Sequence, residues 1–253
     1  MVEGTGFENQ RAGNCTESSN LSASALQTYY IEMEKYTPTQ VSDYSSNREK
    51  FNETDKELFA AMENVGIKDK AILDFGCGDG RHARQLKALG AARVTGVDIN
   101  SGFIDIANNA NTDETITYLV TDGKSIPVEN ESADTIMSNF VIHYFADAKS
   151  IFSEIRRVLK DGGHFVGTFN ITDVDPGFEH LYNTQMPINL GQASVIIQNL
   201  IKSREEIEQA IADCGFAVLK EEELDHPYAV VDDSFPDKEH IHKHAVLMVL
   251  QKK

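Results

Sequence analysis

Apolar residues follow two spacings along the chain, and each spacing predicts one type of element. Short apolar runs predict strands at residues 71–75, 93–98, 116–121, 133–139, 164–170, 216–222 and 244–251. Apolar residues at helical spacing lie between the first five of these strands. Ala83, Leu86 and Leu89 are an example, and Gly90 ends that predicted helix. Strands that alternate with helices are typical of right-handed crossovers on a parallel sheet. We therefore expect an α/β fold.

The segments around this alternating region have other compositions. Residues 1–22 are rich in Gly, Ser, Thr and Asn and predict a disordered tail, which leaves 23–253 as a single domain. Residues 23–66 predict helices, the clearest of which ends at Gly66. Residues 171–202 contain Pro176 and Pro187 and predict a cap of loops and helices. Ser203 and Glu206 then form a capping box for a helix that ends before Gly215.

Composition and charge narrow the class of protein. Hydrophobic residues make up 41% and charged residues 25% of the chain, and no apolar run is long enough for a membrane span. The N-terminus carries no signal-peptide pattern, so we expect a cytoplasmic protein. Cys15, Cys77 and Cys214 are expected to be free thiols. The net charge of -17 argues against a nucleic-acid partner.

A glycine-rich turn at residues 74–80 follows the first predicted strand and precedes a helix, where a ligand can approach the backbone closely. A dinucleotide fingerprint would need a third glycine at the position of Arg81, which weakens the case for pyrophosphate binding. Asp98 and Asp122 end the next two strands, so with Asp74 and Asp79 they are expected to border one crevice. Four carboxylates there favour a ligand that carries positive charge.

On these residues, the segment 72–80 resembles motif I of the class I S-adenosylmethionine-dependent methyltransferases, in their small-molecule, type 11-like branch. Residues 159–163 resemble the turn before the fifth strand of that family, and the resemblance extends from about Asn52 to the C-terminus. It implies a mostly parallel, Rossmann-like sheet of seven strands in the order 3-2-1-4-5-7-6, with strand 7 antiparallel and helices on both faces. It also implies S-adenosylmethionine as cofactor, S-adenosylhomocysteine as product and a small-molecule methyl acceptor.

The same resemblance assigns the cofactor-binding residues. Gly76 and Gly78 would lie against the methionine part, Asp98 would hold the ribose, and Ile99 would pack on the adenine. Asp122 would accept the adenine amine, and the backbone of Asn139 would take the methionine ammonium. The full expected set is Asp74, Gly76, Cys77, Gly78, Asp98, Ile99, Asp122, Gly123 and Asn139.

Catalysis of methyl transfer requires a base only for some acceptors, because an amine or a thiolate is already nucleophilic. The candidates for a base are His143, His180 and Tyr182, in that order, and His143 could equally be a packing residue. Cys77, inside the glycine-rich turn, is expected to act as a small apolar residue and not as a nucleophile.

Two further groups of residues allow more than one interpretation. His240, His242 and His244 alternate and would share one face of a strand, where we expect a polar surface and no metal site. The N-terminal tyrosines either close over the cofactor or belong to the core; they are Tyr29, Tyr30, Tyr36 and Tyr44.

Two other functions fit parts of this pattern. An NAD(P)-dependent oxidoreductase with a Rossmann fold would also place glycines and an acid at these positions. A protein that binds S-adenosylmethionine without turning it over would share the whole cofactor side. The methyl acceptor, the attacked atom and the oligomeric state are left open by the sequence.

Overall fold

A computed structural model describes residues 41–42, 45, 53–189, 196–225, 230–231, 233 and 235–253. The α-helices in that part of the chain are α1 (Glu53–Val65), α2 (Arg81–Ala88), α3 (Ser101–Ala110), α4 (Ala148–Val158) and α5 (Arg204–Asp213). The strands are β1 (Ala71–Phe75), β2 (Arg93–Asp98), β3 (Ile116–Val120), β4 (Ala133–Asn139), β5 (Leu159–Val174), β6 (Gln185–Asn189), β7 (Ile196–Leu200), β8 (Phe216–Leu224), β9 (Val230–Val231) and β10 (Ile241–Lys252).

The main sheet has seven strands in the order β3-β2-β1-β4-β5-β10-β8. Strands β1 to β5 run parallel, and β10 is antiparallel to both β5 and β8. Counted along the chain within this sheet, β8 is the sixth strand and β10 the seventh. The expected order 3-2-1-4-5-7-6 is therefore confirmed, and the carboxyl ends of β1 to β5 share one edge of the sheet.

Apolar side chains on the two faces of the sheet form two separate core clusters. The first face is covered by α1, α2 and α3 and includes Leu58, Met62 and Leu247. The opposite face packs against α4 and α5 and includes Phe152 and Phe165. Because side chains alternate along a strand, each strand residue can be assigned to one face. We call the first face the α1 side.

Strand β5 is longer than the sequence indicates. Residues 159–163 resemble a turn, but the structure includes them in β5, where Leu159 pairs with Ala133 and the register shifts before Thr135. Gly162 has a positive φ of 74° at this irregularity, which explains why the sequence looks like a turn. The other end of β5 reaches Val174, beyond the predicted limit at 170.

The expectation of a cap built from loops and helices was wrong for the described part of residues 171–202. Strands β6, β7 and β9 form a second, antiparallel sheet in the order β7-β6-β9, accompanied by one short 3-10 turn at Glu179–Leu181. Pro187 lies in β6, but β9 pairs only with Ile188 and Asn189, so the missing N–H of Pro187 breaks no bond to β9. The proline therefore does not exclude a strand.

Two predicted caps are confirmed at helix ends. The Ser203 hydroxyl oxygen accepts a hydrogen bond from the Glu206 amide at 3.1 Å, and α5 ends at Asp213 before Gly215. Helix α1 ends at Val65, and Gly66 follows with a φ of 78°.

Several expectations concern residues outside the described ranges. They include the tail at 1–22, the helices between residues 23 and 52 and the four tyrosines Tyr29, Tyr30, Tyr36 and Tyr44. Within the described ranges, no helix has both the length and the apolar character that crossing a membrane would require.

Candidate functional site

The glycine-rich turn between β1 and α2 is closely packed on one side. Gly76 has a φ of 78°, and its N–H donates to the Val97 carbonyl at 2.8 Å. A Cβ at Gly76 would lie 2.1 Å from Cγ2 of Val141, so the turn and the loop after β4 touch here. Gly80, with a φ of 75°, is the N-cap of α2, and a Cβ there would meet the Tyr118 hydroxyl at 2.4 Å. Only glycine fits these two positions.

Gly78, between these two glycines, faces open space. A Cβ added there would meet no atom within 4 Å, and its φ is 52°. Its N–H donates to Oδ2 of Asp98 at 2.9 Å, and the Asn100 N–H donates to Oδ1 of Asp98 at 2.9 Å. These two amides hold the Asp98 carboxylate in place at the carboxyl end of β2.

Three of the predicted acids surround Cys77. Burial and then the negative charges of Asp74, Asp98 and Asp79 raise the pKa of the Cys77 thiol well above its ordinary value. The Cys77 side chain is buried in the core on the α1 side, where a Cβ on Gly96 would lie 2.9 Å from its sulfur. Cys77 is thus a protonated core thiol, and a ligand at the turn would meet its backbone.

Asp122, the fourth predicted acid, uses one oxygen to cap its own loop. Oδ1 of Asp122 accepts hydrogen bonds from the amides of Lys124 and Ser125 at 2.9 and 3.0 Å. These two amides lower the pKa of Asp122, and its side chain is exposed. The next residue, Gly123, is buried and has a φ of 75°. Ile99, after β2, is partly exposed.

A buried polar network joins α1 to the glycine-rich turn and to β4. Asp55 of α1 is 8% exposed and pairs with Arg81 at 2.7 Å and with Nε2 of His82 at 3.2 Å. The Asn139 amide donates to Asp55 at 3.4 Å, and the Thr168 hydroxyl donates to the Asn139 side-chain oxygen. Desolvation acts to raise the pKa of Asp55, but His82 and then Arg81 outweigh it and lower the pKa to about 2.

This network contains residues that the sequence interpretation missed. Asp55 precedes Leu58, Phe59 and Met62 by the helical spacings of three, four and seven residues, so it belongs to the apolar face of α1. The sequence contained one signal for this network, namely an acidic residue on the apolar face of a helix. Arg81 appeared in the sequence only as the residue in place of a third glycine, and here it binds Asp55.

His143, the first candidate base, is buried at 2% exposure in a short 3-10 turn after β4. Its Nδ1 accepts the Asn170 N–H at 3.3 Å, so the proton of the neutral ring is on Nε2. Its ring centroid lies 4.5 Å from that of Tyr144 and 6.2 Å from that of Phe140. This tautomer presents no further ring lone pair, which favours the packing role for His143.

The other two candidate bases lie in the cap. His180 is exposed, and its ring centroid lies 6.1 Å from that of Phe178. Tyr182 is partly buried against a small cap core of Leu181, Ile201 and Ile241. The structure therefore places His143 in the turn after β4 and the other two candidates in the cap.

Lys202 fastens the cap to the rest of the domain. Its side chain is 1% exposed and donates to the Ala146 carbonyl, to Oδ1 of Asn183 at 2.6 Å and to Oε1 of Glu206 at 2.5 Å. These partners belong to the loop after β4, the cap and α5. The sequence analysis did not single out Lys202, because a lysine that begins a polar segment usually marks an exposed loop.

The three C-terminal histidines have acidic partners that their sequence spacing does not show. His240 and His242 bind the two oxygens of Asp175 at 3.0 and 2.8 Å, and His244 binds Glu223 at 2.8 Å. The residue after β5 and strand β8 bring these acids from distant positions in the sequence. Among the described residues, no group of His, Cys, Asp and Glu has an arrangement suited to a metal ion.

The residues at the carboxyl ends of β1 and β2 fit an adenosine cofactor. Asp98 places a carboxylate at the end of β2, where an acid binds the ribose in dinucleotide-binding sheets, and the open face of Gly78 lets a ligand reach the turn. Phe140, directly after Asn139, has a φ of 56°, a backbone strain that is common next to ligand sites. The predicted set of site residues therefore lies along one edge of the sheet and remains a prediction as a ligand set.

Comparison with known proteins agrees with this fold. Residues 73–167 match the family model described as "Methyltransferase domain". The chain is 28% identical to a malonyl-[acyl-carrier protein] O-methyltransferase of Hahella chejuensis over 57% of this chain and 50% of that protein. It is 32% identical to a sterol 24-C-methyltransferase of Gibberella zeae over 66% of this chain and 45% of that protein. The chain thus spans about half the length of these two relatives.

Solved structures share the fold. The geranyl diphosphate C-methyltransferase of Streptomyces coelicolor A3(2), solved with Mg²⁺, geranyl diphosphate and S-adenosyl-L-homocysteine, superposes with a TM-score of 0.59. The alignment covers 79% of each chain at 20% sequence identity. The expected resemblance to class I methyltransferases is confirmed at the level of the family model and the fold.

Proposed function

Because the chain carries a methyltransferase domain with the class I fold, we propose that it moves a methyl group from S-adenosylmethionine to a small organic acceptor. The observation that carries this proposal is the carboxylate of Asp98, which two backbone amides hold at the carboxyl end of β2 beside the glycine-rich turn. Relatives that act on a malonyl group carried by a protein, on sterols and on geranyl diphosphate support an acceptor of modest size.

The residues of this chain bind and orient the cofactor. Asp98 takes the ribose hydroxyls, the backbone at Gly76 and Gly78 contacts the methionine part, and Asp122 with Ile99 flanks the adenine. The carboxylates of Asp74, Asp79 and Asp98 favour a ligand that carries a sulfonium and an ammonium group. When bound, S-adenosylmethionine would supply an electrophilic methyl group to the nucleophilic atom of the acceptor, and the electron pair of the broken carbon–sulfur bond would leave with S-adenosylhomocysteine.

Positioning accounts for most of what the protein must add. Holding an acceptor and a methyl group in a near-attack arrangement lowers the barrier by about 7 to 11 kcal/mol. His143 serves this arrangement as a packing residue beside Phe140 and Tyr144, and its tautomer leaves base catalysis to His180, Tyr182 or water. An acceptor that is nucleophilic without a base, such as an amine or a thiolate, suits this site best.

Thermal melting separates the proposed cofactor from NAD(P). A ligand at 100 times its dissociation constant stabilises the folded state by about 2.7 kcal/mol. We expect S-adenosylmethionine and S-adenosylhomocysteine to raise the melting temperature and NAD to leave it unchanged. The Gly66→Ala variant, altered far from the turn, should respond as the native chain does. A shift with NAD alone would favour the oxidoreductase, for which Arg81 is the discordant residue.

Product detection separates an enzyme from a protein that only binds the cofactor. We expect transfer of a labelled methyl group to at least one member of a panel of small amines, phenols, thiols and carboxylic acids. Strong cofactor binding with no transfer to any of them would favour a binding protein. A cytoplasmic location and the absence of a nucleic-acid partner belong to the same proposal, and the net charge of -17 supports the second.

A further inference from the structure

Strands β1 and β4 lie side by side in the main sheet, but the chain leaves them in opposite directions. After β1 it passes to β2 and β3 on one side, and after β4 it passes to β5 on the other. Helix α2, which follows β1, packs on the α1 side, whereas α4, which follows β4, packs on the opposite face. In open α/β sheets, a crevice for ligands forms where the strand order reverses in this way. Ligand binding is therefore expected between β1 and β4.

Two stretches of chain border this crevice. We call residues 76–82, which contain the glycine-rich turn and the start of α2, the β1 wall. We call residues 139–144, which begin at the end of β4, the β4 wall. The two walls meet where a Cβ on Gly76 would lie 2.1 Å from Cγ2 of Val141. A small shift of either wall thus changes the space that the other wall can occupy.

Asp55 of α1 binds both walls with a single carboxylate. Its Oδ2 pairs with Arg81 at 2.7 Å, and its Oδ1 lies 3.2 Å from Nε2 of His82, so both contacts are with the β1 wall. The Asn139 side-chain amide of the β4 wall donates to the same Oδ1 at 3.4 Å. One turn further along α1, the Phe59 ring packs edge-on against the His82 ring with the centroids 5.5 Å apart. Helix α1 therefore spans the crevice.

The β4 wall is held from its other side by β5. The Thr168 hydroxyl donates to the Asn139 side-chain oxygen, and the Phe140 N–H donates to the Thr168 carbonyl at 2.8 Å. Both polar ends of the Asn139 side chain are thus bonded within the protein. Phe140 has a φ of 56°, and a residue in that conformation keeps it only where its surroundings hold it. Asp55 and Thr168 supply part of that support.

We propose that Asp55 is a positioning residue that fixes the separation of the two walls, so that the docking of α1 and the binding of the cofactor are coupled. Asp55 acts through Arg81 and Asn139 and needs no contact with the ligand. By thermodynamic linkage, a docked α1 raises the affinity for the cofactor, and the bound cofactor stabilises α1 by the same factor. This inference rests on the proposed methyltransferase function.

Calorimetric titration of S-adenosylhomocysteine into the Asp55→Asn variant tests the first half of the coupling. The substitution keeps the size of the side chain and removes the charge that pairs with Arg81. We expect about tenfold weaker binding than in the native chain. Glu63→Gln makes the same change at an exposed position of α1 and should bind as the native chain does. Native affinity in Asp55→Asn would overturn the proposal.

A variant on the opposite face of the sheet separates positioning from a general loss of stability. Ile207 of α5 is 1% exposed in the core away from α1, so Ile207→Val destabilises the fold without altering either wall. We expect it to bind S-adenosylhomocysteine with native affinity. If Ile207→Val weakened binding as much as Asp55→Asn does, Asp55 would only support the fold and the proposal would be wrong.

Thr168→Val tests the β4 wall from its other side. It removes the hydroxyl that donates to Asn139, keeps the size of the side chain and leaves the ion pairs of Asp55 in place. We expect the affinity for S-adenosylhomocysteine to fall about fivefold. Native affinity in this variant would show that Asn139 does not need to be held, which overturns the proposed action through the β4 wall.

Amide hydrogen exchange with and without saturating S-adenosylhomocysteine measures the second half of the coupling. In the native chain, the ligand should slow exchange in α1 as well as in residues 76–82 and leave α5 unchanged. In Asp55→Asn at saturation, the slowing in residues 76–82 should remain and that in α1 should be lost. Equal slowing of α1 in both proteins would contradict the coupling, because a purely structural role for Asp55 predicts it.

The same measurements distinguish a failure of this inference from a failure of the proposed function. If S-adenosylhomocysteine does not bind the native chain, the methyltransferase proposal fails and the inference fails with it. If the native chain binds the ligand, and Asp55→Asn binds it equally well with the same slowing of exchange in α1, only the role of Asp55 is overturned.

Discussion

The two halves of the carboxyl edge differ in how their residues are held in place. At β1 and β2, each oxygen of Asp98 already accepts a backbone amide, and Gly76 and Gly80 are packed against Val141 and Tyr118. At β5 and β10, the Asn170 oxygen has no partner among the described residues, and Lys243 is partly buried with a lowered pKa. Backbone hydrogen bonds and tight glycine packing fix the first half, whereas the second places polar residues on a buried face of the sheet.

A turn that is fixed by short-range bonds is suited to recognising one molecule, because its backbone keeps one geometry with or without a ligand. Buried polar residues without an evident structural use are the ones to examine for a role in binding.

The largest expected effect concerns the packed half. Gly76→Ala would place a methyl group on Val141 at a position with positive φ, and we expect it to lower the free energy of unfolding by about 3 kcal/mol. Gly66→Ala has the same φ of 78° but meets nothing within 4 Å, so it should lose only about 1 kcal/mol. Chemical denaturation measures both values. Equal losses would show that the turn is not tightly packed.

The Lys243→Met substitution should instead raise the free energy of unfolding. Burial lowers the pKa of Lys243 from 10.5 to about 8, so below pH 8 the charged side chain destabilises the fold. The variant should be more stable at pH 7 by about 2 to 3 kcal/mol. As the pH rises from about 8 to 10.5, the native chain loses this cost and the two stabilities should converge. A destabilised variant at pH 7 would mean that Lys243 supports the fold, and the contrast between the halves would disappear.

Asp55 belongs to the first half, because it pairs with Arg81 at the end of the glycine-rich turn. Its pKa is lowered from 3.8 to about 2, so its ionised form stabilises the fold above pH 3.8 and this contribution is lost as the pH falls through 2. Asp55→Asn should cost about 2 kcal/mol at pH 7 and almost nothing near pH 2. Glu63→Gln, at an exposed position of the same helix, is the control. Acid denaturation of the three proteins provides the measurement, and a pH-independent loss would contradict the ion-pair explanation.

Much of the fold is predictable because the signals are local. Strands β1, β2 and β4 have their predicted limits, since each is an apolar run bounded by glycine or by polar turn residues. The limits of β5 and the structure of the cap were predicted wrongly, because local signals were misleading there. Gly162 and Pro187 each indicate a turn when considered alone, yet both lie in strands. Gly162 lies at a register irregularity of β5, and Pro187 lies in a part of β6 that does not pair with β9. Pairing partners, which are distant in sequence, decide such cases.

The site shows a similar limit. Gly76, Gly78 and Asp98 were predictable because a turn and a strand end fix them within a short stretch of chain. The partners of Asp55, on β4 and α2, come from more than 25 residues away. Lys243 could have been suspected, because it alternates with Ala245 and Leu247 on the buried face of the last strand. The acids beside His242 and His244 had no comparable signal in the sequence.

Calorimetric titration of S-adenosylhomocysteine into the native chain and Asp98→Asn tests the central claim most directly. In the variant, an amide nitrogen would face one of the two backbone N–H groups that now donate to Asp98, and one acceptor for the ribose would be lost. We predict a single binding site in the native chain and an affinity about 100-fold lower in the variant. Absence of binding to the native chain, or equal affinity in both proteins, would contradict the account.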